Sequence, residues 1–223
     1  MKKSFKIVFL ILILMSSFVF AQTQDDNAPR EIPVAVKFDE FEKATNGYVK
    51  MKMDLFFIEL NNNPSARGSI INYGTDRAVV IREKQIRDAI AFRNFDGSGI
   101  TFVSGGFSNE IKTQFWLVPA GAEDPKLEPT ARKFDNFEEV APGDIKARMD
   151  GFFTEINNSP NAKGYLINYG TNKKNVEREQ YIKTYIKNRR FDASKIDFAK
   201  SVNKSGIKTV LWIVPEGVEL PKP

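Results

Sequence analysis

The sequence predicts an α+β protein made of two tandem modules of order β-α-β-α-β-β, each a small mixed sheet with two helices packed on it. Three observations carry this. The chain aligns with itself without a gap when shifted by 96 positions. Within each copy the apolar pattern switches between a period of two and a period of about 3.6, the strand and helix periods. Residues that favour turns (Gly, Pro, Asn, Asp) separate those stretches.

The self-match is dense. Lys37-Phe38-Asp39-Glu40-Phe41-Glu42 falls on Lys133-Phe134-Asp135-Asn136-Phe137-Glu138, and Ile71-Asn72-Tyr73-Gly74-Thr75 on Ile167-Asn168-Tyr169-Gly170-Thr171. Trp116, Val118 and Pro119 fall on Trp212, Val214 and Pro215. Close to half of the aligned positions are identical, which marks a duplication. The modules run over 33–127 and 129–223, behind a leading segment over 1–21 and a polar leader over 22–32 that is expected to be disordered. Residues 119–130, rich in Pro, Gly and charge, read as the linker.

Each module opens with an alternating stretch, 34–41 in the first, that reads as a strand. Val49, Met53, Phe56, Phe57 and Leu60 then recur at helical spacing, as do Ile145, Met149, Phe152, Phe153 and Ile156. Asn61 to Pro64 closes that helix. Residues 68–73 and 164–169 are short apolar strands. A charged helix follows, with Ile86, Ala89 and Ile90, or Ile182, Tyr185 and Ile186, on one face. Residues 100–103 are a third strand, and Gly105-Gly106, or Lys204-Ser205-Gly206, carry turn chemistry. Residues 113–118 and 209–214 are apolar on both faces, as a central or covered strand is. The two helical crossovers predict parallel, right-handed strand connections. The repeated aromatics Phe56, Phe57, Tyr73 and Trp116, with Phe152, Phe153, Tyr169 and Trp212, are expected in the two cores.

The ends and the composition restrict the function. Lys2, Lys3 and Lys6 precede an apolar run to Phe20, and Val19-Phe20-Ala21 offers small or medium residues where a signal peptidase reads. That is a signal-peptide pattern with cleavage expected before Gln22, and no cysteine follows for lipid attachment. The expected place is the periplasm, the outer cell envelope or the medium, with no integral membrane span after cleavage. The chain has no Cys and no His, which removes disulfides, thiol nucleophiles, His-based triads and the usual zinc sites. The net charge falls from +5 to +2 once Lys2, Lys3 and Lys6 are removed, and no Lys/Arg run marks a nucleic-acid footprint. No cofactor and no metal is called for.

Several of these residues resemble the OmpA-like domain family, whose members tether envelope proteins to peptidoglycan. Phe38-Asp39-Glu40-Phe41 is similar to the family's opening strand, and Asn63-Pro64 follows the first helix as it does there. Gly74-Thr75-Asp76 is similar to the family's Gly-x-Thr-Asp strand end, one residue shorter, and 191–196 to the segment before its third strand. The resemblance implies a clamp for the zwitterionic diaminopimelate of the peptidoglycan peptide: an aspartate for the ammonium, an arginine for the carboxylate. Asp76 matches the aspartate. The arginine position aligns with Gln85, with Arg82 and Arg87 nearby, so the ligand-binding candidates are Asp76 and Arg82. The second module has Asn172 and Tyr181 at those positions, and both modules lack the family's Asn-x-x-Leu-Ser stretch. Asp76 equally suits a helix start, and Arg82/Glu83, repeated as Arg178/Glu179, equally suit surface ion pairs.

No catalytic residue is assigned. Asp39 with Glu42, and Asp135 with Glu138, are paired carboxylates without a surrounding acid/base cluster. Asp54 and Asp150 sit beside the first helix's apolar stripe, where a structural role suffices. The expectation is an exported, non-enzymatic envelope protein whose modules bind or scaffold, with peptidoglycan or another envelope protein as partner. The alternatives are an exported hydrolase with an unrecognised carboxylate site, or modules that have lost peptidoglycan binding and keep only protein contacts.

Overall fold

The computed structural model describes residues 32–204 and 206–223; the signal-peptide assignment, nearly all of the leader and Ser205 lie outside them. The first module runs β1 (Val36–Phe41), α1 (Asn46–Asn62), β2 (Arg67–Tyr73), α2 (Asp76–Phe92), β3 (Ile100–Gly106) and β4 (Lys112–Val118). The second repeats it: β5 (Arg132–Phe137), α3 (Pro142–Asn158), β6 (Ala162–Gly170), α4 (Asn172–Asn188), β7 (Ile196–Val202) and β8 (Lys208–Pro215). The protein is α+β, with four α-helices among the described residues and two four-stranded mixed sheets in two similar halves.

The helices start where the sequence supplies a cap. Thr45, Thr75 and Thr171 each accept a hydrogen bond from the backbone N–H three residues on, satisfying an orphan donor. α3 lacks such a cap and instead carries Pro142 in its first turn, where a missing N–H costs nothing. α1 ends at Asn63, whose backbone N–H turns back to Glu59 and Leu60 before Pro64 stops the helix.

Sheet order is β1-β4-β2-β3 and β5-β8-β6-β7. This corrects one expectation. Only β2–β3 and β6–β7 pair in parallel; β4 and β8 insert between the first two strands of their modules, antiparallel to both. The reason lies in β4, the strand apolar on both faces: the centre of the sheet is where both faces are covered. A second correction concerns Gly105-Gly106, which extend β3 rather than turn it. A Cβ at Gly105 would lie 2.5 Å from the Tyr73 ring, so glycine lets the strand pass over it, and Gly106 has φ +105°.

The helices cover one face of each sheet. All five apolar stripe residues of α1, and all five of α3, are buried. The first core joins them to Phe41, Ile70, Ile86, Ile100 and Phe115, the second to Phe137, Leu166, Ile182, Ile196 and Leu211. Trp116 and Trp212 depart from expectation. They are half-buried on the opposite sheet faces, and Tyr169 is half-buried where Tyr73 is enclosed. On the second sheet, that face is where the first module docks. Phe107, in the β3–β4 turn, packs on Trp212 at 4.5 Å beside Tyr165, Ile167 and Val214. Asn109, in the same turn, donates to the Leu220 carbonyl and accepts from the Lys222 N–H, both at 2.8 Å, holding the C-terminal tail.

Candidate functional site

Asp76 is the first residue of α2 and is exposed, at a helix end that favours negative charge. Arg82 lies six residues on, about 9 Å of rise and about 600° of turn along an α-helix, so it leaves from a different face. Its side chain runs inward and is 3 % exposed. Nη1 donates to Thr113 Oγ1 (2.7 Å), Nη2 to the Glu42 carbonyl (2.9 Å) and Nε to Gln85 Oε1 (3.2 Å), with the guanidinium 4.9 Å from the Phe41 ring. Burial pushes its pKa below the ordinary arginine value, although a guanidinium stays charged at any ordinary pH.

The two candidates are therefore not brought together, and Arg82 is not a surface ion pair. Arg178 repeats the arrangement, donating to Thr209 Oγ1 and the Glu138 carbonyl, 5.3 Å from Phe137. In each module the threonine hydroxyl passes its own hydrogen to an asparagine on the neighbouring strand, Asn72 or Asn168, at 2.8 Å. This Arg–Thr–Asn chain ties α2 to β4 and β2, and α4 to β8 and β6. A buried cation satisfied by neutral acceptors in both copies is a packing device. Of the neighbouring charges, Glu83 pairs with Arg87 and Glu179 with Lys183, both along the helix at 2.5 Å.

The other carboxylates also have structural work. Asp39 pairs with Lys52 at 2.7 Å and Asp135 with Arg148 at 2.5 Å, beside the irregular step in β1 and in β5. Asp54 takes a two-pronged contact from Arg93 (2.7 and 2.6 Å), and Asp150 is met by Arg189 and the Tyr185 hydroxyl. These pairs pin the first helix of each module to the end of the second; the two aspartates lie mid-helix rather than in the first turn.

One pair of carboxylates from distant segments does converge. The Gln114 amide nitrogen donates to both Glu40 (2.7 Å) and Glu128 (2.6 Å), while its oxygen accepts from the Trp116 indole N–H (3.0 Å). Lys37 reaches Glu40, Lys112 reaches Glu128, and the Glu128 N–H donates to the Tyr73 hydroxyl. Burial pushes Glu40 up, but hydrogen bonds from Lys37 and Gln114 and the charges of Lys37 and Lys112 outweigh it, leaving the carboxyl below its ordinary range. The hydrogen bond from Lys112 holds Glu128 low as well. Both groups are ionised at neutral pH. The network fastens the linker to the outer face of the first sheet.

What surrounds Asp76 is a cleft of about 1040 Å³ between the modules. Gly74, Thr75, Asp76 and Val79 line it from the first module, with Phe107. Arg132, Lys133, Asn161 and Trp212 line it from the second. Arg132 pairs with Glu155, whereas neither Asp76 nor Lys133 is in an ion pair among the described residues. Asp76 and Lys133 thus both line one partly apolar cavity. Asp76 was legible in the sequence. Lys133 was not, because only the packing of one module on the other brings β5 to the α2 terminus. Its visible signal was weak: Phe107 and Asn109, which dock the modules, differ from their counterparts Asn203 and Ser205.

Among the described residues, no cluster of three His, Cys, Asp or Glu is placed to hold a metal ion, and no helix is long and apolar enough to cross a membrane. The chain matches no family model and no curated protein sequence. Among solved structures it is similar to a chain described as "Cyanuric acid hydrolase: evolutionary innovation by structural concatenation", at 11% identity over 85% of this chain and 70% of that one, with a TM-score of 0.26. A likeness that low carries neither fold nor activity across.

Proposed function

We propose that this is an exported, non-enzymatic cell-envelope protein whose two OmpA-like modules bind or scaffold, with the intermodule cleft as the contact site. The observation that carries this reading is the cleft, lined by Asp76 and Lys133, neither of them in an ion pair among the described residues. A carboxylate and a cation across a partly apolar cavity suit a zwitterion: the carboxylate takes an ammonium, and Lys133 takes a carboxylate. The free groups of a peptidoglycan peptide have that chemistry. The cation comes from the second module in this reading, since Arg82 is committed to packing. A hydrolase of the two-carboxylate type needs one acid raised while its partner stays ionised. Glu40 and Glu128 are both lowered, so that pair does not favour the enzymatic alternative.

The test is co-sedimentation of purified protein with peptidoglycan sacculi. Wild type is expected to sediment, Asp76→Ala and Lys133→Ala to stay in the supernatant, and Asn172→Ala to sediment like wild type. Equal sedimentation by all four removes the cleft as the site. No sedimentation by wild type leaves modules that contact only other proteins. Export is checked separately by mass spectrometry of the envelope fraction, where the N-terminus is expected at Gln22.

A further inference from the structure

The duplication supplies an internal control for the outer sheet faces. In the first sheet Lys37 stands beside Trp116, Glu40 beside Gln114 and Tyr73 beside Lys112. In the second, in the same register, Lys133 stands beside Trp212, Asn136 beside Val210 and Tyr169 beside Lys208. The first face is filled. The linker crosses it: the Glu128 carboxylate takes Lys112 and the Gln114 amide, and the Glu128 N–H donates to the Tyr73 hydroxyl. Glu40 takes Lys37, and Gln114 accepts from the Trp116 indole N–H. The second face is open at the same place. A groove of about 820 Å³ lies there, lined by Lys133, Asn136, Tyr169, Lys208, Val210 and Trp212 among others, and by no residue of the linker or of the C-terminal tail.

The groups that are satisfied on the first face are unmet on the second. Asn136 replaces Glu40, which takes away the carboxylate that would hold Lys133. Val210 replaces Gln114, and the Trp212 indole N–H is buried without a hydrogen-bond partner. Among the described residues, neither Lys133 nor Lys208 is in an ion pair and nothing hydrogen-bonds the Tyr169 hydroxyl. Two acids also line the groove. Glu139 is paired with Lys174 at 3.0 Å. Glu138 stands where Glu42 stands in the first module, and there the lysine goes to Glu128 instead. Unmet polar groups gathered in one groove call for an occupant. The first face shows its chemistry: a carboxylate for the lysines, carried on extended backbone whose N–H reaches the tyrosine. The second face suits a carboxylate better, since the charge of Glu40, which opposes that of Glu128 in the first module, is absent. We propose that the outer groove of the second module is a docking site for an extended, carboxylate-bearing peptide segment of a partner protein, seated as the linker is seated on the first. Lys133 lines both this groove and the intermodule cleft, whereas Lys208 lines the groove and not the cleft.

The probe is a labelled synthetic peptide with the linker's own sequence, Asp124 to Ala131, titrated with the purified protein and followed by fluorescence anisotropy. Wild type is expected to bind it at concentrations below about 1 mM. Lys208→Ala, a change at an exposed position, is expected to bind about tenfold or more weakly, with unchanged far-UV circular dichroism. Lys112→Ala in the first module and Asp76→Ala in the cleft are expected to bind like wild type. The same peptide carrying Glu128→Gln is expected not to bind. In a Trp116→Phe background Trp212 is the remaining tryptophan, and its emission is expected to shift as the wild-type peptide is added. Four results each overturn the proposal: no binding by wild type at about 1 mM; equal binding by Lys208→Ala; loss of binding in Lys112→Ala alone, which means that the peptide displaces the linker from the first face; or equal binding of the Glu128→Gln peptide.

Discussion

Arg82→Ala separates a packed cation from a ligand-binding one. The guanidinium gives three hydrogen bonds, and the consequences of deleting them differ. Gln85 is half-buried and re-pairs with water. Thr113 keeps Asn72 as its acceptor. The Glu42 carbonyl loses its donor in a part-buried contact, and a hydrogen bond lost from a charged donor costs about 1–3 kcal/mol. Removing the cation over the Phe41 ring costs about 1–2 kcal/mol more. The expected loss is about 2–5 kcal/mol in the first module. Arg178→Ala is expected to cost less, since its bonds are longer, at 3.2 to 3.4 Å. Urea denaturation followed by tryptophan fluorescence measures both. Each module holds one tryptophan, Trp116 or Trp212, so Trp212→Phe and Trp116→Phe backgrounds report the halves one at a time. A loss under about 1 kcal/mol for Arg82→Ala, on the same scale of unmet hydrogen bonds, would refute the packing role and return Arg82 to the list of binding residues.

Phe57→Ala and Phe153→Ala remove rings that are each 6 % exposed and stacked on Phe95 and Phe191, so each is expected to cost about 3–5 kcal/mol in its own module by the same fluorescence assay. Gly105→Ala pushes a methyl into the Tyr73 ring, which is 1 % exposed and has no room to retreat; a loss of about 1–3 kcal/mol and a lower melting temperature are expected, and an unchanged melt counts against the close approach. The linker network carries a pH dependence. Glu40 and Glu128 are both lowered by folding, so the unfolded chain binds more protons in the acid range. Their contribution is complete above the ordinary glutamate range and is lost as pH falls through the lowered values. Both side chains are over a third exposed, and solvent screens the effect. Trp116 fluorescence under acid titration is expected to change in wild type and to lose that transition in Gln114→Ala with Glu128→Gln.

By itself the sequence determined the duplication, the element order and which helix faces are core. These are written in local spacing: Val49, Met53, Phe56, Phe57 and Leu60 at a helix's period, and Asn63-Pro64 at its end. A repeat adds strength, because both copies must satisfy the same period. Strand order was not local information. β4 sits between β1 and β2 because the strand apolar on both faces belongs in the middle, a comparison among all four strands at once. The fate of Arg82 was equally non-local. Its charge and helix position suit a surface, and only the approach of Thr113 and the Glu42 carbonyl, 31 and 40 residues away, shows where the guanidinium is satisfied. The candidate site followed the same rule. Asp76 was legible as the acid at a strand end, but Lys133 lines its cleft only because Phe107 and Asn109 dock one module on the other. Charge and period are properties of a segment, whereas the partner of a charge is decided by which segments the packed chain brings together.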